Sequence, residues 1–115
     1  MFLSHEDNIE KKEYNGENLK NVIKQSLVGP KEGWDGYVMR VFTLLKDGFT
    51  PRHSHPWPHI NYIVSGEGTV YLSSQEYEVT PGSTVYIPSN TVHQFMANKN
   101  SNLKFICIVP EKGDK

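Results

Sequence analysis

The 115-residue chain has a single cysteine, no excess of either charge and no long apolar run. One thiol, Cys107, cannot close an intrachain disulfide, which fits a reducing compartment. With 12 basic and 13 acidic residues the formal net charge is −1, so nothing marks a nucleic-acid footprint or a polybasic membrane patch. No apolar run approaches the roughly 18 residues of a membrane-spanning helix. The opening MFLSHEDNIEKKEYNG lacks the apolar core of a secretory signal. Internal repeats and low-complexity segments are missing too, and the second half holds no long stretch with a helical period. These absences leave one cytoplasmic domain, large enough for a single core, with neither nucleic acid nor membrane as partner.

What is present is a series of short β-type runs divided by turn residues. Residues 1–21 form a polar arm of mixed charge, with room for a short helical turn. From Val22 the runs are NVIKQSLV, YVMRVFTLL, HINYIV, TVYLSS, YEV, TVYIP, VHQFMA and LKFICIVP, separated by GPKEG, KDG, SGEG, TPGS, SNT and NKNSN. Such spacing predicts an all-β sandwich or barrel over 22–115. Gly66 and Gly68 read most simply as the tight turn of a hairpin.

Strand alternation then sorts the side chains. With Lys104 outward, Leu103, Phe105, Cys107 and Val109 turn inward. With Gln94 outward, His93 and Phe95 point in together. His53 and His55 share a face if their segment is extended, about 7 Å apart along the strand. Pro56 and Pro58 cannot continue a central strand, so the chain must turn before His59, which shares a face with Asn61 and Ile63. Four of the five histidines, from three segments, thus face one interior. Neutral imidazole is the commonest protein ligand for transition metals, and His53, His55, His59 and His93 are the expected metal ligands.

Two spaced motifs in this chain resemble those of the cupins. The first runs from Gly48 through His53, His55 and His59 to Gly66, with four residues rather than five between Gly48 and His53. The second runs through Gly82, Pro88 and His93, with Asn90 in place of a glycine and Ala97 in place of the final asparagine. The resemblance covers roughly residues 36–110 and implies a cupin-type double-stranded β-helix, or jelly-roll barrel. His59 stands where the family's usual glutamate would be, so the set resembles that of small single-domain cupins with four histidines, commonly manganese-bound and dimeric. Ligand type by itself favours Zn, Cu, Ni or Fe over Mn; manganese is implied by the resemblance alone.

Four neutral imidazoles leave a divalent ion's charge uncompensated, which favours a Lewis-acidic centre and an anionic, bidentate ligand. Phe95, Phe105 and Cys107 would line the pocket, with Trp57 at its mouth or packed under its own loop. Arg40 interrupts an apolar strand and either reaches solvent at an edge or is buried facing a carboxylate or incoming anion. Arg40 and Cys107 are the catalytic candidates. No acidic side chain is expected inward near the motifs, and Tyr62 or Tyr86 could move protons only if alternation breaks. O₂- or peroxide-dependent oxidation of a small organic substrate is therefore expected ahead of isomerase or decarboxylase chemistry. The alternative is a module that binds or senses a small organic anion without turnover. NVIKQSLV has the look of an extra strand seeking a neighbour's sheet edge, which predicts a homodimer.

Overall fold

The computed structural model describes residues 1–114. Nine strands follow in order: β1 (Lys12–Tyr14), β2 (Lys20–Val28), β3 (Tyr37–Phe49), β4 (His59–Gly66), β5 (Gly68–Leu72), β6 (Gln75–Val79), β7 (Thr84–Ile87), β8 (His93–Ala97) and β9 (Leu103–Pro110). All pairings are antiparallel, and the strands curl into one sheet of order β6-β5-β8-β3-β9-β4-β7, with β2 on β3 and β1 on β2. The fold is the expected all-β jelly roll.

β3 joins the two walls. Its first part pairs with β9 from Tyr37↔Pro110 to Leu44↔Leu103, while its end reaches β8 at Phe49↔Met96. The chain continues along β8, where the Thr50 amide donates to the Phe95 carbonyl (2.9 Å) and His53 bridges to His93. The path that continues from β3 thereby brings His53 alongside β8.

Burial follows the predicted alternation most cleanly in β9, where Leu103, Phe105, Cys107 and Val109 are buried and the residues between them are half-buried. The core is formed around Leu44, Ile63, Val70, Ile87, Phe95, Leu103 and Phe105. Burying each such side chain contributes about 1.5–3 kcal/mol. Gln94 does project from the outer face of β8, yet it is buried because residues 50–52 cross over it. Its amide donates to the Thr50 carbonyl (2.8 Å) and its oxygen accepts from Arg52 Nε (3.1 Å).

The N-terminal residues lie against the barrel. A 3-10 turn spans Glu6–Asn8, and the buried Gln25 amide donates to the carbonyls of Glu6 (2.7 Å) and Ile9 (3.1 Å). Lys104 pairs with the Glu6 carboxylate on the same outer face. β2, the segment expected to seek another chain's edge, pairs with β3 of its own chain.

Gly66 and Gly68 do not make a hairpin. β4 pairs with β7 and β9, whereas β5 pairs with β6 and β8, so the Gly66–Gly68 link crosses between the walls. The glycines are needed for close approach. A Cβ on Gly66 would overlap the Asn102 carbonyl, and one on Gly68 the Met96 carbonyl. Gly66 also has a φ of 84°. Gly82 offers a control, because its φ is 94° but a Cβ there meets nothing within 4 Å. Gly82→Ala should cost only the left-handed backbone term of about 1–2 kcal/mol, and Gly66→Ala clearly more. Urea unfolding of the two variants reads the difference; equal losses would refute the close-approach account.

Candidate metal centre

The site is built from backbone pairing before any side chain acts. The His53 amide donates to the His93 carbonyl (3.2 Å), and the His93 amide returns a bond to the His53 carbonyl (2.9 Å). Residues paired in this way project to the same face. The Pro-Trp-Pro turn follows, held by the Asn90 amide on the His55 carbonyl (2.7 Å), and delivers His59 at the start of β4. Asn90 has a φ of 63°, the left-handed conformation expected of an asparagine replacing a motif glycine.

One ring nitrogen from each of His53, His55 and His93 lies within 4.8 Å of the others, so these three histidines could hold a metal ion. His59 adjoins them, with its Nε2 3.3 Å from His93 Nε2 and its ring centroid 5.1 Å from that of His55. Outer partners orient two of the rings. His55 Nδ1 lies 3.0 Å from the Trp57 carbonyl, and His93 Nδ1 2.8 Å from the Thr91 carbonyl. A carbonyl can only accept, so each Nδ1 carries the proton and each Nε2 presents a lone pair.

His59 Nδ1 faces the Asn61 amide at 2.9 Å and Cys107 Sγ at 3.5 Å. With the Asn61 nitrogen turned to His59, the Asn61 Oδ1 is buried without a partner. Rotating that amide satisfies the oxygen with Nδ1–H and frees His59 Nε2 as a lone pair. The three grouped histidines therefore fit a divalent transition ion, and the tautomer of the adjoining His59 depends on Asn61.

Burial favours the neutral form of His53, His59 and His93. Desolvation, followed by the neighbouring His93 and His55, lowers His59 to about 3. Desolvation also lowers His93 to about 4, against an opposing hydrogen bond to Thr91. His53, at the exposed side of the cluster, is lowered by the same cause and by His55.

The histidines open into a cavity of about 280 Å³. Phe105 stacks between Phe95 (centroids 4.2 Å) and Phe42 (5.5 Å), and the three rings line one side of the cavity. Trp57 lines the cavity, stacks on His55 at 4.7 Å, and packs over Gly113 of the C-terminal turn. Arg40 points inward and is only 8% exposed. Its Nη2 donates to Cys107 Sγ at 3.0 Å, and its Nη1 lies 3.7 Å from Asp114 Oδ1. Burial pushes the Cys107 thiol up, with the Arg40 charge opposing that shift. Tyr62 and Tyr86 are exposed on the outer face, away from the cavity.

Four contributors escaped the sequence reading. Lys24 and Tyr14 line the cavity from β2 and β1, Asn61 orients His59, and Asp114 receives Lys24 Nζ at 3.0 Å. Alternation with Val22 was the available signal for Lys24. Asp114 lies beyond the last strand, where no periodicity applies.

An antiparallel jelly roll with inward histidines gathered from two motifs is the architecture of a cupin. Residues 40–109 match the cupin domain family, and the chain belongs to it. Over 48 residues it is 40% identical to an uncharacterized protein of Methanocaldococcus jannaschii, covering 42% of this chain and 38% of that one. Auxin-binding protein T92 of Nicotiana tabacum is 38% identical over 55 residues, covering 39% of this chain and 29% of the relative. Acireductone dioxygenase of Aquifex aeolicus is 32% identical over 66 residues, covering 54% and 36%. The chain thus spans well under half the length of the curated relatives it matches. Among solved structures, the polyketide cyclase RemF of Streptomyces resistomycificus superposes with a TM-score of 0.89 at 25% identity, over 96% of this chain and 79% of that one. No helix among the described residues is long and apolar enough to cross a membrane.

The depressed histidine values carry a sign. Between about 4 and the ordinary value of about 6.5, the unfolded chain binds protons that the folded metal-free protein does not, so stability falls as pH falls. The urea midpoint of metal-free protein should be full above about pH 6.5 and decline towards about pH 4.5, and His59→Asn should make that decline shallower. A midpoint independent of pH in wild type would contradict the neutral, buried assignment.

Proposed function

We propose that this cupin is a metal-dependent oxidoreductase in which His53, His55, His59 and His93 together hold one divalent transition ion, and which oxidises a small organic substrate with O₂ or peroxide. The observation that carries the reading is the pair of Nδ1–H bonds to the Trp57 and Thr91 carbonyls, which aim Nε2 lone pairs inward beside a cavity with room for a ligand. A bound ion would supply Lewis acidity and one-electron chemistry to a substrate in that cavity. The family resemblance favours manganese, and a homodimer in the cytoplasm completes the proposal. The Aquifex relative is a dioxygenase, which agrees with oxygen chemistry.

The chain's own groups define what it can contribute. The imidazoles add no charge, so the ion keeps its full attraction for an anionic ligand. Phe42, Phe95, Phe105 and Trp57 give the cavity an aromatic, apolar lining. No carboxylate lines the cavity among the described residues, so neither Asp nor Glu is at hand to take a substrate proton. That weighs against isomerisation and decarboxylation.

The auxin-binding relatives favour a second reading, in which the same site binds a small organic ligand without turnover.

Elemental analysis of tag-free protein, with electron paramagnetic resonance or X-ray absorption before and after adding oxalate, tests the centre. A six-coordinate manganese or iron whose signal changes with oxalate supports the proposal; a four-coordinate zinc indifferent to oxalate overturns it. Asn61→Leu should weaken metal binding roughly 10–100-fold, as losing an outer-shell partner does. His93→Ala should weaken it further, both read by competition with a chelating dye.

A further inference from the structure

The same cavity holds a cation that the metal centre does not use. Arg40 is buried, and its Nε has no partner. Its other contacts are modest: a thiol, which is a weak acceptor, at Nη2, and an ion pair at 3.7 Å through Nη1. The carboxylate of that pair, Asp114, is shared with Lys24, whose Nζ is nearer at 3.0 Å. Asp114 is therefore the more distant partner of Arg40, whose Nε stays unsatisfied beside an apolar interior. The cavity lining includes both Lys24 and Arg40, and Asp114 is not part of it. A buried guanidinium left short of acceptors is destabilising by itself, which calls for an acceptor that arrives from outside.

The surroundings indicate the ligand's shape. The Arg40 guanidinium lies 5.0 Å from the Phe42 ring centroid, and Phe42 begins the stacked row that continues through Phe105 to Phe95. Arg40 and Cys107 face each other across β3 and β9, as do Phe42 and Phe105 one step along the same inward face. Charge and aromatic row are therefore adjacent. An engineered cavity of about 150 Å³ admits benzene, so the larger volume here of about 280 Å³ suits one ring with a substituent.

We propose that Arg40, supported by Lys24, is an anion subsite, and that the ligand of this cavity is a small planar carboxylate whose acid group bonds to the guanidinium while its unsaturated part lies along Phe42, Phe105 and Phe95. This deepens the proposed function, since it takes the metal-centre cavity as the ligand site. Arg40 sits behind Cys107, whose Sγ contacts His59 Nδ1 at 3.5 Å, so the subsite and the histidines flank a common space. A carboxylate bound there places the remainder of the molecule between the guanidinium and the metal ligands. Arg40 in this role is a binding and positioning residue.

The test compares benzoate with its neutral isostere benzamide, and with acetate, by calorimetry on tag-free protein in metal-loaded and chelator-stripped forms. Benzoate should bind about tenfold or more tighter than benzamide in both forms, and tighter than acetate. Arg40→Gln should abolish the preference for benzoate over benzamide without lowering metal content, and Arg40→Lys should restore part of it. Should Arg40→Gln fail to fold, Lys24→Gln takes its place and should reduce the preference. Benzoate binding only to the metal-loaded form, unchanged in Arg40→Gln, would overturn the subsite and leave the metal centre standing. An Arg40-dependent preference in protein that takes up no metal would uphold the subsite and remove the proposed centre. Equal affinity for benzoate and benzamide in stripped protein, or no binding of either, overturns the inference; acetate matching benzoate overturns its aromatic part.

Discussion

The reciprocal backbone bonds between His53 and His93 are the constraint on which the site depends. They fasten the end of the β3 path to the start of β8, and in doing so align two imidazoles that lie forty residues apart in the chain. The Pro-Trp-Pro turn can then bring His59 back only from the neighbouring wall, and the outer hydrogen bonds of His55 and His93 need only choose a tautomer. Position comes from the sheet, and chemistry from the carbonyls behind the rings. The division explains how rings near the barrel mouth can be well oriented although His53 itself is exposed.

Neutrality is the second organising condition. The barrel interior raises the energy of any unpaired charge, which lowers the buried histidines and raises the Cys107 thiol. Arg40 is the exception, a buried guanidinium inside this interior. The cavity thus combines uncharged donors with cationic side chains, an arrangement opposite in sign to the mixed histidine and carboxylate set suggested by the usual family motif.

Much of this was legible in the sequence because a strand's period of two converts position directly into orientation. Lys104 oriented all of β9, and the inward pairing of His93 with Phe95 followed from one outward neighbour. The misreading at Gly66 and Gly68 has an equally physical origin. Local sequence shows that a turn is needed, while the strand lying beside it is decided by long-range pairing. Asn102 and Met96, whose carbonyls crowd those glycines, are remote in sequence and leave no local trace. Asn61 was placed on the correct face, but its role appears only once the unpaired oxygen beside His59 is seen. Lys24 and Asp114 fall outside the two motifs, one before and one after them, where nothing in the motif spacing draws attention.

Trp57 gives the protein an optical property. Of the two tryptophans, Trp34 stacks on Tyr37 in the exposed loop before β3, whereas Trp57 lies nearly parallel to His55, with 12° between the planes. An excited indole so close to an imidazole is sensitive to the electron demand on that ring. Charge arriving at His55 would therefore alter the emission of one chromophore and leave the other as an internal reference, so the barrel carries its own fluorescent gauge of occupancy.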